Sequence, residues 1–435
     1  MEWWQFSIII ALALIALLAS GMPIGFSLGF LALGLIIATR GPDGLFLIAS
    51  TAFQVSTMIT LTCLPMFVLM AEVILFSGIS VQMFDTVAKW LNRLPGGLFQ
   101  ATIAASTAFA AVTGSSVANC VTIATIAVPE MVRYNYDKKL AAACVGAGGA
   151  LGILIPPSGV MILYSIVTEV SLGRLFMGGI LPGVLLAGCF MIYVGVRALK
   201  NPKLAPALPD VTMKDRFDSL FRGGTWATLL LGASVLGSIY MGVATPTEAA
   251  GVGAFLSLLI ALGYRKLNKS NLSGALLRTA QTTCMVLWIV IGAMAFGYIL
   301  TYLRIPEQLT IVIANLSATP LTVIFGMQVL LLILGCFLDP ASIILITVPI
   351  LAPLVASLGF DLVWFGVIFT INMEMSYITP PFGLNLFVLK GVMPPDVSMR
   401  DIIAGCAPFV IIDAAILALC IFFPQIILFI PSTMG

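Results

Sequence analysis

Two short polar motifs and two proline pairs concentrate the chemistry this chain can offer. The polar motifs are TGSSVANC, Thr113 to Cys120, and GCFLDPAS, Gly335 to Ser342. The proline pairs interrupt apolar runs: GGALGILIPPSG carries Pro156-Pro157, and NMEMSYITPPFG carries Pro380-Pro381. All four recur at one spacing. The step from Pro156 to Pro380 is also the step from Gly159 to Gly383 and from Ser115 to Asp339. Pro129 and Pro353, and Met70-Ala71 and Met294-Ala295, obey it too. A helix broken inside a membrane frees backbone C=O and N–H groups, which are tolerated only where protein, water, an ion or a substrate meets them. Matching interruptions in two halves of a chain therefore point to a transporter binding site.

The donors on offer are oxygens. The sequence contains no His, the commonest proton shuttle near neutral pH and the commonest metal ligand. Hydroxyls and carbonyls without imidazole or thiolate suit a hard cation, not zinc or copper. The free ends of half-helices add direction: N-terminal ends attract anions, and C-terminal carbonyls attract cations. One cation is expected between Ser115, Ser116 and the carbonyls near Gly152, Ile155 and Pro157. A second is expected between Gly335, Asp339, Ser376 and Thr379. A substrate carboxylate would lie between them, near Asn119 and Ser158. Taken singly, each motif is as well explained by kinked core helices and capping hydroxyls. The recurrence of all four at one offset favours the site.

Asp339 is the one acidic residue at a tip, and an acid within a membrane is a functional candidate by default. It could equally cap the helix that follows, and the two roles are compatible. Glu248, after Thr245-Pro246-Thr247, reads as a helix-start acid, Glu130 as interfacial, and Glu72 and Glu374 as mid-span groups at a domain contact. Arg174 and Arg304 read as snorkelling end anchors. The glycines of GAGGALG, 146–152, read as close helix packing; no strand precedes them and no Lys-Ser/Thr follows, so they do not form a phosphate loop.

Composition sets the class. Of 435 residues, 60% are hydrophobic and 9% charged, whereas soluble domains carry about a quarter charged residues. Many apolar runs approach the roughly 20 residues needed to span a bilayer. The chain reads as an all-α polytopic membrane protein. Its first apolar stretch lacks a basic leader and reads as a span, not a signal peptide. A net charge of +2 gives no sign of nucleic-acid binding. The eight Cys are dispersed and read as small core hydrophobes. Without His there is no Ser-His or Cys-His pair, which argues against an enzyme.

The charged, Pro-rich stretch 197–223 divides the chain into halves, 1–210 and 211–435. With the basic loop 264–278 it is expected inside, by the cytoplasmic excess of Lys and Arg. Each half then contains two spans, a further span, a two-armed re-entrant hairpin, a Pro-broken span and a final helix. The second half places these at 279–302, 323–357, 364–390 and up to about 430. If each hairpin enters and leaves by one face, a half crosses an odd number of times, and the second copy is inverted with both termini outside. Segment 44–60 is left open as an interfacial helix or an extra span.

Several longer stretches carry a family resemblance. TGSSVAN, GAGGALGILIPPSGVMILY, RLFMGGILPG, ATPTEAAGVGA, FLDPASIILITVPILAPL and ITPPFGLNLFV resemble the large membrane subunit of tripartite ATP-independent periplasmic (TRAP) transporters, within the ion transporter superfamily. The similarity covers about 20–430. It implies scaffold and transport domains, an elevator motion and coupling to Na⁺. It further implies import of a carboxylate, such as a C4-dicarboxylate or sialic acid, across the bacterial inner membrane. The partners it implies are a small four-helix membrane subunit and a periplasmic substrate-binding protein. It places Na⁺ at Ser115, Ser116, Gly152, Ile155 and Pro157, and at Gly335, Asp339, Ser376, Thr379 and Pro381. Asn119 stands where some members carry Asp, which would weaken the first site or alter its stoichiometry. No four-helix block precedes residue 1, so the small subunit is expected as a separate chain. The other reading of the residues is a self-sufficient carboxylate transporter or antiporter of the same superfamily.

Overall fold

The computed structural model describes residues 3–222, 225–315, 319–381 and 383–434. Glu2, Gly223 at the end of the charged break, and Phe382 in the second PPFG motif lie outside the described residues. Among those described, helices dominate and no strand occurs. Six helices are long and apolar enough to cross a membrane, among them Leu172–Lys200, Lys269–Tyr302 and Met399–Phe422.

The centre is built from two half-helices. Every residue from Leu140 to Ala150 in helix Lys138–Ala150 is buried, as is every residue from Val363 to Ser376 in helix Leu362–Tyr377. Both are apolar on nearly all sides, the pattern of a helix with no solvent face. Each stops ahead of its proline pair, the first passing through a 3₁₀ turn, Leu151–Ile153. The chain resumes as helix Gly159–Thr168 in the first case and Leu384–Val392 in the second. Both Pro-Pro bonds, 156–157 and 380–381, are cis.

Beside each half-helix lies a helical pair joined by a short tip. The first pair is Gly97–Thr113 and Ser116–Arg133, and the second is Pro320–Gly335 and Pro340–Ser357. The second arms, Ser116–Arg133 and Pro340–Ser357, start and end at positions related by the same step that separates Pro156 from Pro380. Packing follows that step as well. Ile24–Arg40 packs on Lys269–Tyr302, and Pro246–Gly263 packs on Ile59–Ser77, so the halves exchange corresponding helices.

Small residues make these approaches close. A Cβ built on Gly148 would sit 2.8 Å from Ser106 Oγ, and one on Gly149 would sit 2.7 Å from Cys120 Cβ. The 146–152 glycines thus let the central half-helix lie directly on the first pair. Gly292 does the same between Lys269–Tyr302 and Ile24–Arg40, where its Cβ would meet Gly25 O at 2.6 Å. Without a hydrophobic gradient between helix and lipid, such van der Waals contact is a principal source of helix association.

Several expectations are refined. A 3₁₀ turn, Pro42–Gly44, leads into segment 44–60, which contains a 12-residue helix, Leu45–Ser56. At about 1.5 Å per residue that helix is about 18 Å long, short of the ~30 Å apolar core of a bilayer. The basic loop 264–278 is shorter than expected, because Lys269–Tyr302 is one helix of 34 residues, capped by Asn268 accepting from Asn271 N–H at 2.7 Å. The charged break contains an amphipathic helix, Met213–Arg222, that the sequence reading did not place. The terminal helix ends at Phe422, and a short helix, Gln425–Ser432, follows Pro424. Five Cys are buried, but Cys284 is exposed.

Charged groups gather at element ends. Thr245 and Glu248 form a reciprocal capping box. Lys138 Nζ lies 2.5 Å from Asp396, and Lys139 Nζ lies 2.6 Å from Asp401, joining the start of the first central half-helix to the second half of the chain. The Lys138 ammonium holds the Asp396 carboxyl below its usual range. Glu130 pairs with Arg133 at 3.7 Å. Glu72 faces Arg278 at 4.0 Å, and Glu374 is fully buried beside Asp413.

The glycine contacts make a direct prediction. Gly292→Val should lower thermal stability by about 1–3 kcal/mol, the usual cost of overpacking a fitted interface. Gly188→Ala, where an added Cβ meets nothing within 4 Å, should leave it unchanged. Melting of the purified protein in detergent reads both, and equal melting points would dismiss the close-packing account.

Candidate functional site

The tips and breaks converge as their sequence spacing suggested. At the first tip the chain turns through Gly114, at φ +62°, and extended Ser115. Glycine is required there on two counts. The left-handed φ is costly for other residues, and a Cβ would meet Pro157 O at 2.3 Å. Gly159 N–H donates to Gly114 O at 3.3 Å, so tip and break meet backbone to backbone. Gly152 serves the other side, with a Cβ placed 2.8 Å from Ser115 O. Ser115 caps Ser116–Arg133 by accepting from Ala118 N–H at 3.4 Å. The structure thus brings together Ser115, Ser116, Gly152 and Pro157, with Ile155 buried nearby in the break.

The second tip has the same plan with a carboxylate in place of the hydroxyl. Asp339 caps Pro340–Ser357: its oxygens accept from Ser342 N–H at 3.1 Å and from the Ser342 hydroxyl. Gly335 presses on the break, where a Cβ would lie 2.5 Å from Ser376 Cβ. A cavity of about 320 Å³ is lined by Gly335, Asp339, Ser342, Ser376, Tyr377 and Gly383, with Leu18 and Ile24 closing one wall. Thr379 and Pro381 do not line it. The Thr379 hydroxyl donates back to Met375 O at 2.7 Å, and the Ser376 hydroxyl to Met373 O at 2.7 Å.

A further cavity, of about 280 Å³, lies between the tips. Thr113, Gly114, Ser115, Ser116 and Pro157 line one side, and Asp339, Pro340, Ala341 and Tyr377 the other. Leu64, Phe67 and Val68 from helix Ile59–Ser77, Thr282, Met285 and Val286 from helix Lys269–Tyr302, and apolar residues of helix Gly159–Thr168 add further walls. Among the described residues, Asp339 is the one charged group lining this cavity, and it lines the 320 Å³ cavity as well. Three capped helix N-termini, at Ser116, Gly159 and Pro340, open on or beside this space.

Asn119 and Ser158 sit elsewhere than in the cavity lining. Asn119 is fully buried, and its Nδ2 donates to Ser106 O at 3.0 Å, tying the two arms of the first pair. Ser158 is also fully buried; its hydroxyl donates to Ile153 O and accepts from Met161 N–H at 3.3 Å, capping Gly159–Thr168. Tyr377, Pro340 and the wall residues of the two long helices were not singled out by sequence. Nor was Asn385, a fully buried amide hydrogen-bonded to Ser116. Its signal was available: a polar residue inside the apolar run GLNLFVL, directly after the second break.

Comparison with known proteins identifies the family and the fold. A family model described as the tripartite ATP-independent periplasmic transporter, DctM component, matches residues 11–426. The C4-dicarboxylate TRAP transporter large permease protein DctM of Pseudomonas aeruginosa is 36% identical over 404 residues, covering 92% of this chain and 93% of that protein. The sialic acid TRAP transporter large permease protein SiaM of Vibrio cholerae is 30% identical over 419 residues, covering 96% of each. Among solved structures, the Alcanivorax borkumensis YdaH transporter superposes with a TM-score of 0.67 at 14% identity, over 93% of this chain and 98% of that one. At that identity the likeness speaks for the fold alone. Family model, relatives and fold coincide over nearly the full length, and the chain belongs to the DctM component family of tripartite ATP-independent periplasmic transporters.

Proposed function

We propose that this chain is the large subunit of a Na⁺-coupled importer of a small organic anion, a carboxylate of the kind named for its relatives, in the bacterial inner membrane. The observation that carries the reading is the charge of the cavity between the tips. Among the described residues its one charged lining group is Asp339, and no Lys or Arg contributes to it. A carboxylate entering that space meets a like charge in a medium of low dielectric, where repulsion is strong. Helix N-termini supply partial positive charge, but a bound cation beside Asp339 removes the repulsion outright. Cation before anion is then the favoured order, and that order is what couples the two fluxes. Ser115, Ser116 and the backbone around Gly152, Ile155 and Pro157 would hold one Na⁺. Gly335, Asp339, Ser376 and the turn at Thr379 and Pro381 would hold the other.

In this reading the halves 1–210 and 211–435 are inverted copies. The recurrence of helix bounds at one constant offset and the exchange of corresponding helices support it. The exchanged helices form the scaffold. The tip pairs and broken helices form the transport body, which carries the occupied cavity across the bilayer as an elevator. Asn119 and Ser158 shape the tips from behind; they act on the substrate through the position of Ser115, Ser116 and the Gly159 helix start.

Two partners complete the machine: a small membrane subunit against the scaffold and a periplasmic protein that delivers the anion. A relative from Oleidesulfovibrio alaskensis, named as the isethionate TRAP transporter permease protein DctMQ, supports the first. The match covers 95% of this chain but 64% of that protein, which leaves room for a fused second subunit.

Uptake into proteoliposomes tests the reading. With the small subunit present and a cognate binding protein outside, an inward Na⁺ gradient should drive accumulation and an equal K⁺ gradient should not. Accumulation by the large chain alone would establish the self-sufficient transporter instead, and indifference to Na⁺ would overturn the cation sites. Asp339→Ala should raise the Na⁺ needed for half-maximal uptake by roughly ten- to a hundredfold, since a lost charge-assisted contact costs about 1.5–3 kcal/mol. Protein yield should change far less. An unaltered Na⁺ requirement in Asp339→Ala would take that residue out of the ion site.

A further inference from the structure

The first tip is held by a residue from the other half of the chain. Asn385 is the second residue of helix Leu384–Val392, which resumes the chain after the second proline pair. It is fully buried. One N–H of its carboxamide donates to Ser116 Oγ at 3.0 Å, and the other to Gly146 O at 3.1 Å. The Ser116 hydroxyl also approaches Asn385 Oδ1, at 3.4 Å. Ser116 begins the second arm of the first pair, and Gly146 belongs to the central half-helix that leads into Gly152. A single side chain thus bridges the two elements that face each other across the first cation site. The repeat does not call for it, since the matching position in the first half is Met161.

The same short helix also reaches the second site. Gly383 and Leu384, immediately before Asn385, line the 320 Å³ cavity with Asp339 and Ser376. Resting on the Na⁺-coupled reading above, we propose that Asn385 is a positioning residue that couples the two cation sites. A cation gripped between Ser116 and the first break fixes the distance between that arm and the half-helix through Gly146. Asn385, bonded to both, is fixed with them, and Gly383 and the second break follow within two residues. A serine oxygen has two lone pairs, so Ser116 can accept from Asn385 and still face a cation. Coupling of this kind is reciprocal: occupancy of the second site equally orders the first. Uptake should therefore rise with Na⁺ more steeply than a single site allows.

The test is a Na⁺ titration of uptake in the reconstituted complex, paired with Na⁺-induced thermal stabilisation of the purified complex, which requires no transport. The wild type is expected to respond sigmoidally in both, with a Hill coefficient well above 1. Asn385→Ala is expected to bring the coefficient down to about 1 and raise half-saturating Na⁺ several-fold. Uptake at saturating Na⁺ and the substrate KM measured there should stay near wild type. Asn385→Asp keeps the side-chain size and removes both N–H donors, so it stands in if the alanine variant is poorly produced, with the same fall in steepness expected. A purely structural amide would lower yield and the Na⁺-free melting point while leaving the steepness intact, and that result overturns the proposal. A wild type indifferent to Na⁺ would instead defeat the Na⁺-coupled reading on which it rests.

Discussion

The constraint on which the rest of this structure depends is the backbone left open where two fully buried helices stop. Lys138–Ala150 and Leu362–Tyr377 end ahead of the proline pairs, in the interior of the molecule. A buried, unmet backbone group costs several kcal/mol, so each break has to be answered locally. The answers are specific: Gly159 N–H to Gly114 O, the Ser158 hydroxyl to Ile153 O, Ser115 to Ala118 N–H, and Asp339 to Ser342 N–H. The first of these bonds joins a tip to a break and the others close the break or cap an arm locally; the tips and breaks come this close because Gly114, Gly152 and Gly335 have no Cβ to intervene.

From that contact the electrostatics of the site follow. Bringing two tips toward one centre gathers helix N-termini at Ser116, Gly159 and Pro340, with C-terminal carbonyls of the other arms close by. Such a place offers partial positive and partial negative charge within a few ångströms. A single full charge, Asp339, lines that space, and the proposed order of cation before anion rests on it. The neighbouring walls from Ile59–Ser77 and Lys269–Tyr302 are apolar apart from Thr282. They bound the cavity without competing for its charges.

The two halves share one plan, yet differ where the charge sits. Ser115 and Asp339 occupy matching positions and cap matching helices, Ser116–Arg133 and Pro340–Ser357. At the first tip the hydroxyl next to Ser115, that of Ser116, accepts from Asn385 of the second half; the carboxylate at the second tip has Ser342 from its own helix. Helices at matching positions thereby carry two unequal tips. The amide that crosses between the halves does so in the buried interior, whereas the ion pairs Lys138–Asp396 and Lys139–Asp401 join them nearer the surface.

The sequence by itself determined the class, the matched spacing of its motifs and the chemistry of the donors. Apolar runs without charge have only helices available to them in a membrane, and Pro-Pro within such a run marks a break wherever it falls. The constant offset between the halves, the short polar tips and the absence of His were all legible without coordinates. Helix ends were less so. The helix from Lys269 begins within a basic stretch because Asn268 caps it, and Met213–Arg222 forms within the charged linker because its apolar residues fall on one face. What only the tertiary structure decided was which polar groups reach which space. Asn119 and Ser158 have the right chemistry for a substrate, yet their side chains donate to Ser106 O and Ile153 O and lie outside the lining of the cavity between the tips. Asn385 lay in an apolar run and drew no notice until folding set it against a serine far away in the chain. Local sequence fixes a residue's donors and acceptors. The distances between them are fixed by packing of segments remote from one another in the chain, and hydrogen bonds weaken steeply away from their preferred geometry.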